Sequence, residues 1–226
     1  MKEAQPHDHL GLIDISMEHS PRLSVFPGDT PLSREVLLDT ARGDNITLST
    51  LHTPVHLGTH LDAPIHYGGR EAMEEVPLSR TCGRCLVVAC AGPWQEGRVA
   101  IANIAASLEA LGFAGDAPLP SRVLLATGSN PDPTRWNTGF AGLAPALVDH
   151  LADRGVALVG TDAPSVDTAE SKDLPGHARC LAREVLILEG LRLEGVVPGG
   201  YELFCLPLRL VGFDGCLVRA VLRRIG

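Results

Sequence analysis

Arg122-Val-Leu-Leu-Ala126 is followed, after a polar stretch, by Pro145-Ala-Leu-Val-Asp-His-Leu-Ala-Asp-Arg154-Gly155-Val156-Ala-Leu-Val159. The first piece is an apolar run of strand length that ends in the polar loop Thr127-Gly-Ser-Asn130. Pro145 to Arg154 predicts a helix, with Gly155 as its stop. Val156 to Val159 predicts a second short buried strand. Strand, helix and strand in this order predict a crossover unit with a parallel pair, and so an α/β fold.

The flanking sequence extends the same pattern. Residues 10–16 predict a first strand, and Arg84 to Cys90 predicts another. Asn45 to Val55 alternates loosely and predicts a strand that delivers the histidine-rich segment behind it. Asn103 to Leu111 predicts a helix closed by Gly112, and Pro175 to Glu184 a helix with Pro in its first turn. Val185 to Leu188 predicts a strand ending at Glu189. Tyr201 to Leu210 and Leu217 to Leu222 predict two more. There is no internal repeat, linker or composition break. One α/β domain with a mixed sheet, spanning residues 1–226, is the expected organisation.

Composition narrows the functions open to such a domain. The 226 residues are 45% apolar and 20% charged, as in ordinary globular proteins. A formal net charge of −8 argues against a nucleic-acid or anionic-membrane partner, because no basic patch offers phosphate neutralisation. No apolar run approaches the ~20 residues that span a bilayer. The first nine residues lack the apolar core of a signal peptide, so a cytoplasmic location is expected. The six cysteines are then reduced, and most read as small buried hydrophobes. Cys82-x-x-Cys85 has metal-ligand spacing but no second such pair to complete a site.

The chemistry concentrates elsewhere. Four of the nine histidines fall within fifteen positions, His52-Thr-Pro-Val-His56-Leu-Gly-Thr-His60-Leu-Asp62-Ala-Pro-Ile-His66. A helix would place His56 and His60 on one face, but Gly58 and Pro64 disfavour it. A strand running into a tight turn would point His60 and Asp62 the same way. His56, His60 and Asp62 then offer three ligands to one divalent ion, zinc, manganese or iron. Three protein ligands leave a position for water, and a bound dication lowers the pKa of such water to about 7. His66 is either a fourth ligand or a general acid near the metal. His52 reads as a hydrogen-bonded core or supporting histidine. Phe26, beside Pro27-Gly28, reads as a packing anchor or a pocket wall, the anchor being preferred. His177 and Glu189 stand at element boundaries, but composition alone leaves them as surface groups.

His56-x-Gly-Thr-His60-x-Asp62-x-Pro-x-His66 resembles the signature of the metal-dependent cyclase hydrolases, best known from the bacterial kynurenine formamidases (arylformamidases) of tryptophan catabolism. Phe26-Pro-Gly-Asp, Gly160-Thr-Asp-Ala-Pro-Ser-Val-Asp167, Ser171-Lys-Asp-Leu-Pro-Gly-His177, Ile187-Leu-Glu-Gly190, Gly200-Tyr-Glu-Leu203, Leu206-Pro-Leu-Arg209 and Val218-Arg-Ala-Val-Leu222 resemble segments of the same enzymes, in the same order.

The resemblance implies a swivelling β/β/α fold, assembled as a homodimer or homotetramer. It implies that His56, His60 and Asp62 bind one metal, and that Asp62 bridges to a second completed by His177 and Glu189, the pair expected to be two zinc ions with manganese or iron as alternatives. It makes His66 the catalytic histidine and Phe26 a wall of the substrate site. The implied reaction is hydrolysis of N-formyl-L-kynurenine, an aryl formamide, to L-kynurenine and formate. Three departures bear on the substrate: Phe stands at 26 where formamidases have Trp, Ala178 where they have a second histidine, and Asp214-Gly-Cys216 where Ala-Ser-Pro is common. They keep open a sister hydrolase acting on another cyclic amide or lactone, such as isatin. A non-catalytic metal-binding protein is the reading from a different class.

Overall fold

In the computed structural model, which describes residues 11–225, thirteen strands and four α-helices follow one another along the chain. The N-terminal segment behind the expected cytoplasmic location lies outside the described residues. β1 (Leu12–Asp14), β2 (Ser33–Leu38), β3 (Leu48–His52) and β4 (His60–Asp62) come first. The middle of the chain holds α1 (Leu78–Thr81), β5 (Gly83–Ala89), β6 (Arg98–Val99), α2 (Ile101–Ala110), β7 (Arg122–Ala126), β8 (Gly142–Leu143), α3 (Pro145–Asp153) and β9 (Leu158–Thr161). α4 (Pro175–Ala182), β10 (Leu186–Glu189), β11 (Gly199–Cys205), β12 (Gly215–Leu217) and β13 (Ala220–Arg224) complete it.

Nine strands share one mixed sheet in the order β1-β13-β11-β5-β7-β9-β10-β4-β12. The central four, β5, β7, β9 and β10, run parallel. α2, α3 and α4 supply the three crossovers, as parallel pairing requires. The outer strands pair antiparallel. The fold class is therefore the expected mixed α/β type. β7 shows why its sequence is apolar throughout. Val123 and Leu125 pack towards Leu147, Val148 and Leu151 of α3, while Leu124 enters the core on the other face with Leu158, Leu188 and Leu203. A strand covered on both faces has no polar side to present.

The sequence Leu217 to Leu222 is not one strand. β12 ends at Leu217 and pairs with β4; β13 begins at Ala220 and pairs with β11 and β1. Only Val218 and Arg219 separate them, a reach of roughly 11 Å from Leu217 to Ala220. The two ends of the sheet therefore lie close together, and the sheet curls on itself around Ile15, Leu61, Cys216 and Leu222. Tyr201 to Leu210 also ends early, at Cys205, because Pro207 cannot donate to a ladder and Leu206 and Leu208 lie exposed.

The expected strand over residues 45–55 is shorter and lies elsewhere. β3 pairs only with β2, in a separate two-stranded ribbon, and its residues are exposed. His52 faces Glu35 across that ribbon at 3.2 Å. It is neither a core residue nor a support for the metal-type cluster. A seven-residue loop, 53–59, carries the chain from β3 into β4.

One close approach makes the site possible. Gly190 follows β10 with φ of +62°, and a Cβ there would lie 1.9 Å from the Gly58 carbonyl oxygen. Both the backbone conformation and the space demand glycine. Gly190→Ala is expected to lower the unfolding free energy by more than about 2 kcal/mol. Gly112→Ala, at φ of +83° with nothing within 4 Å, should cost only about 1 kcal/mol. Urea denaturation of the two variants measures the difference.

Candidate metal centre

Strand register brings the early and late donors together. In the antiparallel pair of β4 and β10, Glu189 lies opposite His60 and Ile187 opposite Asp62. Side chains two apart on β4 share a face, so His60 and Asp62 point into one space while Leu61 enters the core. His60 Nε2 lies 3.4 Å from Asp62 Oδ1 and 3.3 Å from Glu189 Oε2. The fourth donor comes from α4. His177 Nε2 lies 3.6 Å from Asp62 Oδ2 and 3.8 Å from Glu189 Oε1. His56, on the loop before β4, turns Nδ1 to within 2.9 Å of Asp62 Oδ1. All five residues predicted as ligands thus meet around one buried point. His66, on the short 3-10 turn Pro64–Tyr67, stacks on His56 with ring centres 3.9 Å apart.

Two of the rings are held by their outer nitrogen. His60 Nδ1 donates to the Gly58 carbonyl at 2.9 Å, and His177 Nδ1 donates to Asp167 Oδ2 at 2.9 Å. With each outer nitrogen donating, Nε2 is the nitrogen left to present a lone pair inward once a cation displaces its proton. Asp167 was not singled out by sequence reasoning, although it closes the quoted Gly160–Asp167 segment. It also accepts from the backbone N–H groups of Gly176 and His177, both at 2.9 Å, and from Arg98 at 2.7 Å. It therefore caps the first turn of α4 and orients that helix's histidine at once.

The residues fit a cation. Among the described residues, Asp62 Oδ2 is the buried side-chain polar atom with no hydrogen-bond partner. Leaving a buried carboxylate oxygen bare is costly, and a cation removes the cost. Imidazole nitrogens and carboxylate oxygens together suit zinc, manganese or iron. Three sets present one ligand atom per residue within 4.8 Å of one another: His56, His60 and Asp62; Asp62, His66 and His177; and His56, His66 and Asp214. Among the described residues Cys82 and Cys85 join no such group; Cys82 lies against the Cys205 carbonyl, and Cys85 is buried in the core.

Without a cation, protons take its place. Burial works to lower the pKa of His60, but the carboxylates of Asp62 and Glu189 outweigh it and raise the pKa to about 10. His177 is likewise raised to about 10, with burial opposed by Asp167 and Asp62. Asp62 is held well below the carboxylate range against its burial by His177, His56 and His60. His66 moves the other way. Its burial is the largest influence, and its pKa is lowered.

The cluster forms one wall of a cavity of about 500 Å³. Phe26 and Trp136 stand in the same cavity, edge to face with ring centres 5.0 Å apart. Phe26 is 53% exposed, so it is a pocket wall rather than the local packing anchor preferred from sequence. Trp136 was missed. Its signal was a large aromatic side chain within a long stretch lacking regular structure between β7 and β8, the kind of loop that carries function. No helix among the described residues is long and apolar enough to cross a membrane.

Residues 13–168 match the family model described as "Putative cyclase". The fold and 26% of the sequence are shared with a "potential metal-dependent hydrolase with cyclase activity", over 95% of this chain and 98% of that one, at a TM-score of 0.76. A "predicted metal-dependent hydrolase from Bacillus stearothermophilus" is also 26% identical, over 93% and 97% of the two chains, at a TM-score of 0.74. An isatin hydrolase bound to the product analogue thioisatinate has the same fold at 16% identity, over 93% and 91%, with a TM-score of 0.78.

The raised pKa values of His60 and His177 give the chelator-treated protein a pH-dependent contribution to stability. Both bind a proton more tightly folded than unfolded. Their stabilisation is complete below pH ~6.5 and is lost as pH rises towards about 10. An ion competes for the same lone pairs, so its own contribution grows as pH rises. The Tm of chelator-treated protein is expected to fall between about pH 7 and about pH 9.5, while the Tm gain on adding Zn²⁺ increases. A chelator-treated Tm that is flat or rising over that interval would contradict this arrangement.

Proposed function

The chain belongs to the cyclase family, and from that premise we propose that it is a metal-dependent amidohydrolase whose substrate is an aryl formamide, N-formyl-L-kynurenine, cleaved with water to L-kynurenine and formate. The observation that carries this reading is one cavity holding both a cation-type donor cluster and an aromatic wall. His56, His60 and Asp62 would hold one ion, and Asp62, His177 and Glu189 a second. Bound divalent ions supply electrophilic activation of water and of the scissile carbonyl.

The chain's own residues supply the rest. Phe26 and Trp136 pack on the aryl ring, and together they offer the stacking area that Phe26 alone would provide only weakly. Their apolar faces keep bulk water from that side of the substrate. His66 is poised neutral, since burial lowers its pKa, and so takes a proton from the attacking water. The same imidazole then gives that proton to the departing aniline nitrogen. Arg135 and Asp29 also line the cavity, and offer one cation and one anion to the substrate's α-carboxylate and α-ammonium.

Isatin is the alternative substrate, favoured by Phe26 and Ala178 and by the shared fold of an isatin hydrolase. It has the flat bicyclic ring but no amino-acid head. Metal-loaded enzyme is expected to turn over formylkynurenine faster than isatin. Turnover of isatin alone moves the assignment to a cyclic-amide hydrolase. Trp136→Ala should raise KM for either compound, and Arg135→Ala for formylkynurenine only. His66→Ala is expected to keep its metal content, read by elemental analysis, and to lose hydrolysis by about a hundredfold or more. Loss of metal in that variant would make His66 a ligand instead.

A further inference from the structure

Three histidine rings face the buried centre, and two of them are held from behind by Gly58 and Asp167. The third ring, His56, is held as well. Its Nδ1 turns inward to Asp62, and its Nε2 turns outward to Asp214 Oδ2 at 3.1 Å. Asp214 immediately precedes β12, where Gly215 lies opposite Asp62 of β4. That register delivers the Asp214 carboxylate to the back of the His56 ring. Gly215 leaves room for the ring: a Cβ there would lie 2.6 Å from His56 Cε1. The same Asp214 oxygen lies 3.5 Å from His66 Nδ1, and the two imidazoles stack against each other above it.

We propose that Asp214 is a positioning residue of the metal centre, fixing the Nε2–H tautomer of His56 so that Nδ1 presents its lone pair to the ion, and steadying His66 beside it. The inference rests on the reading of the cluster as a metal centre. Its physical content is that a ligating imidazole gains basicity and loses rotational freedom when its far N–H donates to a carboxylate. Asp214 contacts the two imidazoles, His56 as anchor and His66 as neighbour.

The test compares wild type, Asp214→Ala and Asp214→Asn, each stripped with chelator and then titrated with Zn²⁺ and with Mn²⁺ by calorimetry. Asp214→Ala is expected to weaken the affected site ten- to a hundredfold, within the range for lost outer-sphere partners. Asp214→Asn keeps a side-chain oxygen that accepts from Nε2–H, so it should recover most of the lost affinity. Long-range ¹⁵N–¹H NMR of the Zn²⁺-loaded wild type should show His56 protonated at Nε2. In Asp214→Ala that Nε2–H should lose its hydrogen-bonded downfield shift and exchange faster with solvent, a readout that a purely structural role would not move. The half-exposed position of Asp214 leaves the fold of the variants intact, checked by circular dichroism.

Unchanged affinity and an unchanged His56 Nε2–H signal in Asp214→Ala overturn the proposal. So does a rise in KM with unchanged metal affinity, which would make Asp214 a substrate contact. Wild-type protein that binds neither ion would instead overturn the metal-centre reading itself, and the two failures are thereby separate.

Discussion

The antiparallel pairing of β4 with β10 is the constraint on which the site depends. It sets His60 opposite Glu189 and Asp62 opposite Ile187, so one register unites donors 129 positions apart. Shifting that register by a single residue would send Glu189 to the other face of the strand and His60 away from its partner. β12 flanks β4 on the other side and brings Gly215 beside Asp62. β4 is only three residues long, yet it is gripped from both sides by strands from the far end of the chain. The parallel sheet behind it supplies the rigidity, and Gly190 supplies the clearance.

A second principle runs through the cluster: each charged or lone-pair-bearing group is oriented by something behind it. The Gly58 carbonyl turns His60. Asp167 turns His177 and is itself fixed by Arg98 and by two backbone N–H groups of α4. Val166 donates its backbone N–H to Glu189 Oε1 at 2.7 Å. Asp62 is the exception, with one oxygen lacking a hydrogen-bond partner. Buried carboxylates in this number repel one another unless cations or protons lie between them. The depressed acids and raised histidines are two sides of that balance.

The aromatic wall joins the cluster through two stretches of chain that the parallel sheet holds only at its edges. Phe26 comes from the loop before β2, and Trp136 from the long segment between β7 and β8. Ser24 ties these stretches together by donating twice to the Pro133 carbonyl, from its N–H at 3.0 Å and its hydroxyl at 2.9 Å. Asp162 pins the start of the second loop by accepting from Thr127 and from the Gly128 N–H.

Residue type and local spacing determined much of this protein before any coordinate. Apolar runs marked the parallel strands, because strands covered on both faces have no polar side. The motif from His56 to His66 marked the early half of the donor cluster, because imidazoles and an acid at that spacing suit a divalent ion. Local pattern, apart from what the family resemblance implied, left open the contacts set by residues distant in sequence. It did not distinguish Leu217–Leu222 as two strands, since the break is made by opposite partners rather than by a turn residue. It placed His52 among the supporting residues and passed over Trp136, Asp167 and the contact between Asp214 and His56. The meeting of His60 with Glu189, and of His177 with Asp62, was decided by strand register and helix placement, which no local pattern encodes.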